Sequence, residues 1–120
     1  MQPGSGIGPY SSTASGSGVE IITQIFTPSG PIIVSTNITT NIDGTFKNYA
    51  TPVGFLNTTG TFVVRAPQYV YYQEPNGNVI TGVFKNWVLL GKAAVNGTNT
   101  LAIRVTLENS PIALIANYTT

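Results

Sequence analysis

LAIRVTLENSPIALIANYTT, residues 101–120, reads as two β-strands with a small turn between them. In the first, Leu101, Ile103, Val105 and Leu107 alternate with Ala102, Arg104, Thr106 and Glu108. Period-two alternation of this kind puts one set of side chains in a core and the other in solvent. In the second, Ile112, Leu114, Ala116 and Tyr118 fall on one face and leave Asn117 on the outward one. The pattern predicts that Tyr118 completes the core from the closing strand.

The same signals recur upstream. VEIITQIFT (19–27) is a first strand, ended by the turn cluster Pro28-Ser29-Gly30-Pro31. In the next run Ile32, Val34, Thr36 and Ile38 share a face. Asp43-Gly44 then suits a hairpin turn into TFKNYAT. PVGFLNTTG reads as a loop, and TFVVRA follows with Phe62, Val64 and Ala66 inward. QYVYYQ and VITGVFKNWVLL flank the tight connection EPNGN, and Gly82 inside the latter marks a bulge or a close backbone approach. About eight short strands, frequent turns and no helical period predict an all-β, two-sheet sandwich over residues 19–120. Residues 1–18, rich in Gly and Ser, read as an extended N-terminal arm.

Composition narrows the chemistry. Charged residues are 8% of the 120, and the net charge is +1 with Lys47, Arg65, Lys85, Lys92 and Arg104 scattered. No basic footprint for nucleic acid is present. The chain has no Cys and no His, so it offers no disulfide, no thiol chemistry and no zinc site, and no cofactor motif is found. No segment is long and apolar enough for a membrane span, and the first residues lack the charged and apolar regions of a signal peptide. The only carboxylate side chains are Glu20, Asp43, Glu74 and Glu108, which leaves acid unfolding little to act on and points to an acid setting.

Four acids are also too few for ready catalysis. A pair of them is the best available arrangement, of the kind used in glycoside hydrolysis, yet each reads more simply as a turn or solvent-face residue. TNIDG offers one Asp and one Asn where a calcium loop needs several ligands, and it reads as a turn. The expectation is therefore a non-enzyme with no catalytic, metal or cofactor residues. Two features remain for recognition. Tyr69 and Tyr71 share a strand face and form a candidate contact for a partner or a glycan, against the plainer reading that aromatic residues favour strands. Four Asn-x-Ser/Thr triplets make Asn37, Asn57, Asn96 and Asn117 candidate N-glycosylation sites, with Asn57 and Asn96 in loops and Asn37 and Asn117 facing outward from strands.

GVFKNWVLLGKAAVNGTNTLAIRVTLENSPIALIANYTT resembles a module of secreted archaeal proteins, including surface-layer and thermopsin-like proteins. The matching residues are Phe84, Trp87, Ser110, Pro111, Ala116 and Tyr118. Upstream, FTPSG, DGTF and TGTFVV resemble immunoglobulin-like modules of similar surface proteins. The resemblance implies an immunoglobulin-like or jelly-roll-like sandwich outside the cell, and no thermopsin-type catalytic aspartate motif is present. The expected role is a structural subunit of an extracellular archaeal assembly, a cell-surface filament or a virion, joined to copies of itself or to other subunits through the arm or by strand exchange. The alternative is a carbohydrate- or surface-binding adhesion module of a larger secreted protein. A core of Phe62, Trp87, Ile103, Val105 and Tyr118 belongs to either.

Overall fold

The computed structural model describes residues 17–120, so the arm expected at 1–18 lies outside the described residues except for Ser17 and Gly18. Nine strands follow: β1 (Val19–Thr27), β2 (Gly30–Val34), β3 (Asn37–Thr40), β4 (Lys47–Ala50), β5 (Val53–Phe55), β6 (Thr61–Arg65), β7 (Tyr69–Gln73), β8 (Val79–Asn96) and β9 (Ala102–Thr119). No helix occurs among the described residues. The strands belong to one continuous, curled, mixed sheet with the path β2-β1-β9-β6-β3-β4, while β5 pairs with β1, and β8 pairs with β7 and β9. All neighbours are antiparallel except β1 and β9, which run parallel from Val19 opposite Ile112 to Phe26 opposite Thr119.

Three departures from the expected eight strands have local causes. The run at 32–39 is two strands, because the chain leaves β1 after Val34 and reaches β6 only from Thr39. A knot of threonine hydroxyls holds that crossing: Thr23 Oγ1 donates to the Val34 carbonyl at 2.6 Å and meets Thr51 Oγ1 at 2.8 Å, while Thr36 N donates to Thr51 Oγ1 at 3.1 Å. Thr51, which precedes a cis peptide to Pro52, is 1% exposed, so these bonds satisfy groups that burial would otherwise penalise. The expected loop at 52–60 contains β5, three residues paired with the start of β1.

The third departure lies in the opening stretch. Its two expected strands are hydrogen-bonded to β8 as one, but the register jumps between Gly91 opposite Ile112 and Ala93 opposite Leu107. One residue of β8, Lys92, therefore faces residues 108–111 of β9, and Asn109 within them has φ of +58°. Bulges of this kind bend a strand and sharpen its twist. The bend carries the β8–β9 ribbon back on itself far enough for Trp87 N to donate to the Thr98 carbonyl at 2.8 Å.

Curling encloses one core. Ile21, Ile25, Ile112, Leu114 and Tyr118 from the β1–β9 part join Ile38, Phe62, Val64, Trp87, Ile103 and Val105, all between 0% and 3% exposed. Phe84 stands edge-on to Tyr118 with centroids 5.6 Å apart, and Tyr118 OH donates to the Pro67 carbonyl at 2.6 Å. Gly82 is a close approach without a register shift of its own. A Cβ there would lie 2.9 Å from Ile25 Cγ1 and from Tyr118 Cβ. The inward sets expected for β6 and for 101–108 are the buried ones, apart from half-buried Leu101 at the edge. Residues 112–118 differ, since every one of them is buried on both faces, as strands in parallel pairing commonly are.

Candidate functional site: an exposed tyrosine and valine face

The turn at 74–78 sets the geometry of the β7–β8 hairpin. Gly77 N donates to the Glu74 carbonyl at 2.9 Å, Gly77 has φ of +93°, and Glu74 N donates to the Asn78 carbonyl at 2.7 Å. Residues with freedom at positive φ are what such a tight connection needs. The register that follows puts Tyr69 opposite Val83, Tyr71 opposite Thr81 and Gln73 opposite Val79. Directly opposed residues of an antiparallel pair share a face.

That face is exposed and mostly apolar, with Thr81 and Gln73 as its polar members. Tyr71 is 62% exposed, Val79 58%, Tyr69 46% and Val83 40%. The opposite face carries Val70, Tyr72 and Gly82 against the core. Among the described residues β7 is hydrogen-bonded to β8 alone, and no strand of theirs pairs with its other edge. The sequence singled out both tyrosines and missed both valines. Counting back from the EPNGN turn would have found them, because the turn fixes which residues face each other.

The candidate glycosylation asparagines separate by burial. Asn37, at the start of β3, and Asn96, at the end of β8, are exposed. Asn57 is half-buried and its Nδ2 donates to the Ile42 carbonyl at 3.4 Å. Asn117 corrects the outward assignment: it is 2% exposed, its Oδ1 accepts from Gln24 Nε2 at 2.9 Å, and its Nδ2 donates to Asn86 Oδ1 at 3.2 Å. Alternation assigned it to the right face, but that face is covered. An asparagine whose amide nitrogen is buried and engaged is closed to a glycosylating enzyme in the folded chain.

The four acids occupy separate elements: Glu20 in β1, Asp43 in the turn before β4, Glu74 beside the β7–β8 turn and Glu108 in the β9 bulge. Asp43 accepts from Tyr49 OH at 3.3 Å, and desolvation, followed by the neighbouring Asp43 charge, raises the Tyr49 pKa. No group of three metal-ligating side chains and no helix long and apolar enough to cross a membrane occurs among the described residues. Two shallow depressions lie side by side around Asn96 and Arg104, the larger about 290 Å³ and bounded also by Val63, Gly97, Ala102 and Ile103. Neither contains a carboxylate or a nucleophile beside a base.

Comparison with protein-family models, curated proteins and solved structures finds no match to this chain.

Proposed function

We propose that this chain is a non-enzymatic structural subunit of an extracellular archaeal assembly, a cell-surface filament or a virion, joined to its neighbours through the N-terminal arm or by strand exchange. The observation that carries the reading is the exposed Tyr69, Tyr71, Val79 and Val83 face on a hairpin whose outer edge pairs with no strand of the described residues. Apolar area of this kind beside unpaired backbone groups favours association with another chain, and tyrosines supply contact area at low entropic cost. The low share of charged residues and the exposed triplets at Asn37 and Asn96 support a glycosylated, extracellular setting.

For the fold, the reading is a two-layer, immunoglobulin-like or jelly-roll-like sandwich made by folding one sheet over at the β8–β9 bulge. One layer would be β2, β1, β5 and β7 with the adjoining halves of β8 and β9, and the other β3, β4 and β6 with the remaining halves. In support, the core cluster draws on both sets, and strands that change layers at bulges are a known route to packed sheets.

The test is the assembly state of the full chain by light scattering and electron microscopy, beside a Tyr71→Lys/Val79→Lys variant. Ordered polymers or shells from the parent and folded monomers from the variant are expected. A parent that stays monomeric at high concentration would overturn the reading. A second reading, a carbohydrate-binding adhesion module, is favoured by the exposure and common face of Tyr69 and Tyr71, which suit stacking on a sugar ring. It predicts a monomer that binds immobilised glycans and loses binding on Tyr71→Ala.

A further inference from the structure

The chain holds two Asn-Gly pairs, Asn76-Gly77 and Asn96-Gly97, and the fold treats them differently. Such a pair carries a reaction of its own. With no side chain on the glycine to shield it, the glycine backbone nitrogen can attack the asparagine Cγ. The new N–Cγ bond closes a succinimide ring, the Cγ–Nδ2 bond breaks, and Nδ2 leaves as ammonia with the proton given up by the backbone nitrogen. Water then opens the ring at one of its two carbonyls and leaves aspartate or isoaspartate.

In the β7–β8 turn both reacting groups are held. Gly77 N donates to the Glu74 carbonyl at 2.9 Å, and Asn76 Oδ1 accepts from Asn78 N at 3.0 Å. Ring closure there breaks both bonds, and the turn with them. Asn96, by contrast, ends β8, and it and Gly97 are exposed. Neither its carboxamide nor Gly97 N makes a hydrogen bond to a described residue. Closure turns the Asn96 backbone out of its extended conformation and so releases the terminal rung of the ladder, Asn96 opposite Arg104. Ends of elements open at the least cost. Gly97 has φ of +91°, and a Cβ there would lie 2.9 Å from Thr100 Oγ1, so the connection to β9 keeps the glycine that makes the attack possible.

We propose that Asn96 is a self-modifying residue: it deamidates in the folded chain while Asn76 is protected, and the carboxylate formed pairs with Arg104. Asn96 and Arg104 are register partners across β8 and β9, and both line the two shallow depressions, which hold no carboxylate. Directly opposed residues share a face within reach of each other's side chains, and opposite charges are favoured there. Nδ2 is also the atom a glycan would occupy, so glycosylation and deamidation exclude each other at this residue. The reaction itself does not depend on the proposed assembly.

The test uses the full-length chain made in a host that adds no N-glycans and held at mildly alkaline pH, where more of the backbone amide is deprotonated. Trypsin cuts at Arg65, Lys85, Lys92 and Arg104, so Asn76 leaves in one peptide and Asn96 in another. Mass spectrometry is expected to find the amide-to-acid change several-fold faster in the Asn96 peptide while the chain is folded, and at similar rates in both peptides once guanidinium unfolds it. Equal rates in the folded chain, or a faster Asn76, would overturn the proposal, as would a folded chain in which neither peptide changes. The pairing is read by NMR from the carboxyl introduced by Asn96→Asp, whose pKa should rise when Arg104→Gln is added. An unchanged pKa would overturn the pairing.

Discussion

Tyr118 combines apolar packing and a hydrogen bond to the backbone in one buried side chain. Its ring is fully buried against Phe84, its hydroxyl donates to the Pro67 carbonyl, and burial raises its pKa well above the ordinary phenol value. A raised folded-state pKa means that the unfolded chain gives up the proton first. The associated stability is intact below about pH 10 and is lost as pH climbs from there towards the folded-state value. Denaturant titrations across that range should show a falling midpoint in the parent and a flatter profile in Tyr118→Phe. At neutral pH the same variant should be less stable by about 1–2 kcal/mol, since the Pro67 carbonyl loses its donor. Single asparagines differ in the same physical way. Expressed in a glycosylating host, the chain should carry glycans at Asn37 and Asn96 and none at Asn117, as peptide mass spectrometry would show. Modification at Asn117 would mean that its face opens before or after folding.

Among the elements, the β8–β9 ribbon shows what a sequence reveals and what it conceals. The alternation in 101–108 and the even-numbered set from Ile112 to Tyr118 were legible because each follows from side-chain geometry along one strand. The break at residues 108–111 was legible too, through Asn109, Ser110 and Pro111. What could not be read was that β8 stays paired across the break, because hydrogen bonding to a neighbour leaves no mark on the strand's own pattern. The same limit explains Asn117: period two separates the faces without saying which is covered. At the bulge, Asn109 has φ of +58°, a conformation that asparagine tolerates and β-branched residues resist. Asn109→Gly should be neutral or slightly stabilising, whereas Asn109→Val should cost about 1–2 kcal/mol by thermal denaturation. Equal effects from both would remove the backbone argument. Tyr69 and Tyr71 were legible as a shared face, and the valines beside them required the register of β7 and β8.

At the scale of the molecule, the core cluster of the described residues gathers side chains from β1, β2, β3, β6, β7, β8 and β9. Unfolding should accordingly be a single cooperative transition. Trp87, the only tryptophan and 3% exposed, reports on the centre of that core. Its fluorescence and the far-ultraviolet circular dichroism should change at the same denaturant concentration. Separated midpoints would show that the β1–β9 part and the β3–β4–β6 part melt independently.

The parallel ladder that unites β1 with β9 also sets a timetable. Val19 is among the first core residues to leave the ribosome, and its partner Ile112 is among the last. For most of synthesis β1 has only local partners in β2 and β5, with its central edge unpaired, and loop closure between such distant segments is slow. The β1–β9 ladder therefore cannot close until β9 has been made, and in that interval the edge of β1 that β9 will occupy is open to capture by another chain.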